Sequence, residues 1–260
     1  MLALPPPTGV GAGLPVASVL PRAKESTFTV STDLCEPLFV SATVDDWKHQ
    51  ELHARYNGLV VKRPFHGVWN PQQSAIDEAL ENVSFGGGLK AEVSLSSATL
   101  NADLDDAVSK LLVTAALPTL LSEQIQRDAC SIGRAVASMC PTARVLNVRL
   151  ELFGESICSR WHRDNFVGRA IVSYTGVTGT EYTGDKNVNF WELTHCGKNE
   201  CIIGDTNQIK AVEVGDILFI KGSGYKGANA LVHKSPQPRY HADGRVLNRL
   251  VLKVDVESWC

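Results

Sequence analysis

The sequence predicts an α+β fold in which a mostly helical lead-in packs against a β-rich core, and three observations carry that prediction. Apolar residues recur at three- and four-residue intervals through residues 101–139, the stripe of helices that pack on something. From Val145 onward the pattern changes to alternation, which is the period of half-buried strands. At 260 residues, 44% hydrophobic and 20% charged, the chain is long and apolar enough to bury a sizeable core.

Residues 1–30 are rich in proline, glycine and alanine, from Pro5-Pro6-Pro7 to Pro21, and carry no acidic residue before Glu25. They read as a flexible segment outside the fold. Residues 31–144 form the helical lead-in. Within it, residues 44–56 are predicted as a helix around Trp47, and Asn70-Pro71 opens another over residues 72–80, since proline suits an early helical position. Gly86-Gly87-Gly88 breaks the chain. Leu104, Val108, Leu111 and Leu112 mark the next helical stretch, and Pro118 predicts a kink or a division into two helices. Residues 145–260 are the β-rich core. Val145 to Phe153 alternates strictly, and Val214-Gly215-Asp216 turns into the apolar strand Ile217-Leu218-Phe219-Ile220. Residues 246–256 place Leu250, Leu252, Val254 and Val256 on one face and Arg249, Val251 and Lys253 on the other.

Composition narrows the function. A formal net charge of −3 leaves no basic footprint for nucleic acid, so a small-molecule substrate is the expected partner. No apolar run approaches the ~20 residues that cross a bilayer, so no membrane span is expected. The seven cysteines, at 35, 130, 140, 158, 196, 201 and 260, are scattered, odd in number and outside any CxxC pair. That usage fits a reducing intracellular compartment, cytoplasmic or organellar, better than a disulfide framework.

The chemistry concentrates in Trp161-His162-Arg163-Asp164 and, far downstream, Leu231-Val232-His233. In an extended strand, residues two apart project to the same side, so His162 and Asp164 can reach one ion while Arg163 points away. His233 must come from another strand. Two histidines and one carboxylate can hold one face of an octahedral ferrous ion and leave the opposite face open for substrate and dioxygen.

The order HxD, distant histidine, then arginine resembles the iron(II)- and 2-oxoglutarate-dependent dioxygenases, whose catalytic core is a double-stranded β-helix, or jelly roll. The resemblance implies that His162, Asp164 and His233 are the iron ligands and that Arg249 binds the distal carboxylate of 2-oxoglutarate. Sixteen positions separate His233 from Arg249, more than is usual in that family, so Arg245 and Arg239 are rivals; Arg249 is favoured because it alone sits within a clear strand pattern. Tyr174 is a further candidate donor to a 2-oxoglutarate carboxylate, against the core-packing role common for strand tyrosines. The implied reaction is hydroxylation or desaturation of a small organic molecule, with succinate and CO2 as co-products.

A second resemblance covers roughly the C-terminal half. The blocks Arg149-Leu150-Glu151, Trp161-His162-Arg163-Asp164, Ser173-Tyr174-Thr175-Gly176-Val177-Thr178-Gly179-Thr180-Glu181-Tyr182, Val232-His233-Lys234-Ser235-Pro236 and Arg249-Leu250-Val251-Leu252-Lys253-Val254-Asp255 are similar in order and spacing to an uncharacterised family of unknown function numbered 1826. That family supplies no reaction, and the zinc-linked gene neighbourhood of its bacterial members keeps open a non-redox zinc or divalent-metal-binding protein. A cupin-type metal enzyme that does not use 2-oxoglutarate is the other alternative, although cupins present an HxH pair with a following glutamate.

Other polar residues receive structural readings. Arg149 and Arg169 are read as salt-bridging within the core. Glycines 222, 224 and 227 around Tyr225 lack the GK[ST] of a phosphate loop and are read as a flexible lid beside His233. Ser235 closes the ligand strand with no base arranged for serine catalysis. His195-Cys196 and Cys201 offer soft ligands with no obvious fourth, and are read as incidental residues of a solvent-facing loop.

Overall fold

The computed structural model describes residues 36–63, 88–95, 98–155 and 157–256. In chain order the strands are β1 (Leu38–Ser41), β2 (Gly58–Val61), β3 (Leu89–Ser94), β4 (Val145–Phe153), β5 (Gly168–Ser173), β6 (Glu181–Thr183), β7 (Lys210–Ala211), β8 (Ile217–Lys221), β9 (Val232–Lys234) and β10 (Arg249–Val256). The helices are α1 (Gln50–His53), α2 (Leu100–Ala115), α3 (Thr119–Met139), α4 (Phe190–Thr194) and α5 (Asn199–Ile202). Seven strands form one sheet in the order β1-β2-β8-β5-β10-β4-β3, antiparallel throughout except for the β1/β2 pair. A smaller antiparallel sheet has the order β7-β6-β9. The fold is therefore mixed α+β and built around a large sheet.

The stretch predicted as a helical lead-in supplies three of the large sheet's strands as well as α2 and α3. β1 and β2 are four residues each, and β2 is buried on both faces, so it shows an unbroken apolar run instead of alternation. Residues 44–56 form a 3-10 turn (Val44–Lys48) and the single turn α1 in place of one helix, because His49 at φ −89°, ψ 79° breaks the run between them. Trp47 anchors this segment: it is fully buried, and its indole Nε1 donates to Ser41 Oγ at 2.9 Å. At Pro118 the chain divides into two helices, with Ala116 in the left-handed region at φ 52° closing α2. The predicted helix after Asn70-Pro71, residues 1–30 and Gly86-Gly87 lie outside the described residues. Among the described residues no helix is long and apolar enough to cross a membrane.

Strand alternation decides which side chains meet the helices. Leu250, Leu252, Val254 and Val256 of β10 join Leu146, Val148 and Leu150 of β4 and Ala170 and Val172 of β5 in a core closed by α2 and α3 through Leu104, Val108, Leu121, Ile125, Ile132 and Val136. Each of the larger aliphatic side chains contributes roughly 1.5–3 kcal/mol by leaving water. The intervening Arg249, Val251 and Lys253 emerge on the opposite face and line a cavity. β8 divides the same way: Ile217 and Phe219 face the helices, whereas Leu218 and Ile220 pack with Leu38, Val60, Val212 and Leu231 beside Tyr182 of the small sheet. The cavity thus takes residues from both sheets.

Candidate metal centre and its cavity

His162 and His233 are backbone partners in an isolated antiparallel bridge, each N–H donating to the other's carbonyl at 3.0 Å. The strand expected for 162–164 shrinks to this bridge, yet His162 and Asp164 still face the same point. Asp164 Oδ1 lies 3.7 Å from His162 Nε2, and its Oδ2 lies 3.6 Å from His233 Nε2. The three ligand atoms all fall within 4.8 Å of one another. Donors held at right angles about 2.1 Å from a first-row ion sit about 3 Å apart, so each His–Asp pair closes on a cation by under about 1 Å and no pair by more than about 2 Å.

Both imidazoles are oriented by the main chain. His162 Nδ1 is 2.8 Å from the Arg160 carbonyl and His233 Nδ1 is 3.1 Å from the Leu231 carbonyl, each two residues upstream. A carbonyl can only accept, so Nδ1 carries the proton and Nε2 presents its lone pair inward. Burial, working against the attraction of Asp164, pushes the His233 imidazole down to about 4, which leaves it neutral near physiological pH. Asp164 is also held: Arg169 Nη1 donates to its two oxygens at 3.2 and 3.1 Å, while Arg169 Nε and Nη2 grip Asp255 of β10 at 2.6 and 3.2 Å. Arg149 Nε stands 3.5 Å from the same Asp255, so both arginines serve internal pairing.

The cavity of about 110 Å³ beside these groups is lined by both histidines, Phe153, Thr180, Ser235, Arg249 and Lys253 among others. Lys253 pairs with Glu151 at 2.5 Å and Arg169 with its two aspartates. Arg249 differs. Its Nη1 is buried without a hydrogen-bond partner, its Nη2 is 3.4 Å from Ser235 Oγ, and burial lowers its guanidinium to about 10. No carboxylate among the described residues forms an ion pair with it. An orphaned guanidinium nitrogen beside an oriented His/Asp/His set fits a carboxylate anion next to a divalent cation.

Two candidates for the anion lie elsewhere. Tyr174 follows the parity of Ala170 and Val172, so its fully buried ring enters the helix-side core, where its hydroxyl donates to Asp128 Oδ2 of α3 at 2.7 Å. Arg63 holds that aspartate with two further bonds, and Tyr174 is thereby committed to the opposite side of the sheet. Arg245 Nε pairs with Asp243 at 2.7 Å on a solvent-facing loop. Arg239 lines a smaller adjoining pocket with Pro236, Leu247 and Arg249.

The glycine segment is a buttress, not a lid. Ser223 N–H donates to the Asp164 carbonyl at 2.9 Å, Gly222 N–H to Val167 and Gly224 N–H to Phe166. A Cβ at Gly222 would stand 1.9 Å from the Phe166 carbonyl oxygen, so glycine is required there for close backbone approach. Ser235, read from sequence only as closing the ligand strand, lines the cavity beside Arg249. Its signal was parity, for it lies two residues beyond His233 and projects to the same side.

A family model described as protein of unknown function (DUF1826) matches residues 66–255. No curated protein matches. Similar solved structures include dioxygenase for auxin oxidation 1 from Arabidopsis thaliana as a binary complex with 2-oxoglutarate, at 9% identity and TM-score 0.45, covering 86% of this chain and 93% of that one. The rice dioxygenase for auxin oxidation is 12% identical, TM-score 0.41, covering 86% and 83%. The Fe(II)/(alpha)ketoglutarate-dependent dioxygenase TqaL is 10% identical, TM-score 0.42, covering 82% and 87%.

Proposed function

Because the chain belongs to the DUF1826 family, whose description names no reaction, we propose from the site itself that it is an iron(II)- and 2-oxoglutarate-dependent oxygenase acting on a small organic molecule. The observation that carries this reading is the conjunction of two features in one cavity: three convergent His/Asp/His donors, and a buried Arg249 nitrogen that has no partner. Either alone has simpler explanations; together they fit a metal and a dicarboxylate. The seven-stranded and three-stranded sheets are proposed as the two faces of a double-stranded β-helix.

In this reading His162 and His233 offer Nε2 and Asp164 a carboxylate oxygen to Fe(II), leaving the remaining coordination positions open. Arg249 binds the distal carboxylate of 2-oxoglutarate, with Ser235 Oγ beside it to share the hydrogen bonding. Arg169 keeps the Asp164 carboxylate aimed through two hydrogen bonds, and Phe153 walls the cavity against water. When bound, iron and 2-oxoglutarate supply the oxidising chemistry, with dioxygen as oxidant and succinate and CO2 as co-products.

Aerobic addition of ferrous iron and 2-oxoglutarate to the metal-free protein tests the proposal. Succinate release is expected even without substrate, and Asp164→Ala should abolish it. Tight zinc retention with no succinate from the iron-loaded protein would move the assignment to a non-redox metal protein.

A further inference from the structure

We propose that Glu192, Cys196 and Cys201 form a second metal site, for a thiophilic divalent cation of the zinc class, outside the cavity described above. Their three ligand atoms lie within 4.8 Å of one another. The segment that carries them is two short helices rather than an irregular loop, and its turns are specified. Asn189 caps α4 by accepting from the Trp191 and Glu192 N–H groups. The Cys196 and Gly197 N–H groups both close on the Glu192 carbonyl at 3.1 and 2.9 Å, which places Cys196 one turn beyond Glu192 on the same face. Gly197 at φ 73° then reverses the chain into α5, whose single turn presents Cys201.

The underside of this unit is bolted down while the thiols face out. Ile202 and Ile203 are buried with Trp161 and Val232, and Asn199 joins the unit to the strand before His162 by accepting from Trp161 N–H at 3.0 Å and donating to the Ser159 carbonyl at 2.9 Å. The ligands are therefore held in place before any ion arrives. Cys196 and Cys201 contribute nothing to that packing, since both are exposed and free. Free cysteine is among the residue types most often buried, so two exposed thiols converging with a carboxylate call for a chemical role. Two thiolates and one carboxylate are a donor set for zinc, with the fourth position left to water or an exogenous ligand. His195 is not part of it, because its ring stacks on Trp191 and its Nδ1 faces the Trp191 carbonyl.

Anaerobic titration of cobalt(II) into the reduced full chain, read by thiolate-to-cobalt charge-transfer absorption, distinguishes this site from the cavity, whose proposed ligands include no sulfur. A charge-transfer band is expected in the wild type, retained in His162→Ala, Asp164→Ala and Cys158→Ser, and lost together with one equivalent of bound metal in Cys196→Ser/Cys201→Ser. Glu192→Gln should keep the band while weakening this site at least about tenfold, since even outer-shell partners of a metal commonly matter that much. Far-UV circular dichroism checks that the serine variant keeps its fold, as expected for exposed positions. A reduced wild-type chain without the band, or a band that survives the double serine substitution, overturns the proposal.

Discussion

A buried guanidinium nitrogen without a partner lowers stability, and Nη1 of Arg249 is in that position because its register on β10 points the side chain into the cavity. Replacing it therefore separates function from folding. Arg249→Met should leave the ligand-free protein as stable as the wild type or more so, by about 1–3 kcal/mol in chemical denaturation, while 2-oxoglutarate affinity measured by calorimetry falls at least about a hundredfold, some 2.7 kcal/mol. A variant that loses stability and keeps its affinity would make Arg249 a structural residue. Ser235→Ala removes one neutral partner, so its expected loss is about 0.5–1.5 kcal/mol, a factor of a few to ten. At this scale the sequence revealed a great deal: HxD spacing, the distal histidine and the parity of Arg249 were all legible. Whether a cation finds an acid was not. Arg169 and Arg249 both face the cavity, and only folding decides that Asp255 stands opposite the first and the Phe153 ring, not a carboxylate, opposite the second.

Between elements, the site depends on a relay of charge across three strands. Asp255 of β10 is fully buried and registers directly against Arg169 of β5; Arg149 of β4 approaches from the other side, and Arg169 passes the constraint to Asp164. Asp255→Asn leaves two arginines short of a carboxylate, so a loss of roughly 3–5 kcal/mol in unfolding free energy is expected. Metal affinity should fall about 10- to 100-fold although no ligand has changed, as for other supports of a ligating carboxylate. Unaltered metal affinity would mean that Arg169 does not position Asp164. β8 carries a second buried charge: Lys221 follows Ile217 and Phe219 to the helix side, where Nζ donates to the His53 carbonyl at 2.7 Å and burial pulls the ammonium down to about 8. Between about pH 8 and its unfolded value near 10.4, the unfolded chain holds a proton that the folded chain has released, so stability attributable to this residue rises with pH. Unfolding free energies compared between wild type and Lys221→Met over that window should converge as pH rises; a constant difference would show that Lys221 does not titrate there. Elements with a clean period, namely β4, β10, α2 and α3, could be read in advance. β1 and β2 could not, because four residues are too few to show a period, and β2 is in addition buried on both faces.

For the molecule as a whole, the feature that sequence distance conceals is that His162 and Asp164 meet His233 only in the folded chain, where an isolated bridge pairs His162 with His233 of β9. The unfolded chain cannot present the three donors together, so any cation held by them binds the folded state alone and must stabilise it. In a Cys196→Ser/Cys201→Ser background, which among the described residues leaves the cavity's donors as the one convergent set, a hundredfold excess of metal over Kd should add about 2.7 kcal/mol and raise Tm by roughly 5–10 °C for a chain of this size. Manganese, zinc and ferrous iron should each produce the shift, since all three accept imidazole and carboxylate, so it reports on the ligand set independently of any oxidation. His162→Ala and His233→Ala should each reduce it sharply, and Asp164→Ala with His233→Ala should remove it. A full shift in that last variant would mean that the ion binds somewhere other than at the convergence of these two remote stretches, and the functional reading built on that convergence would fall with it.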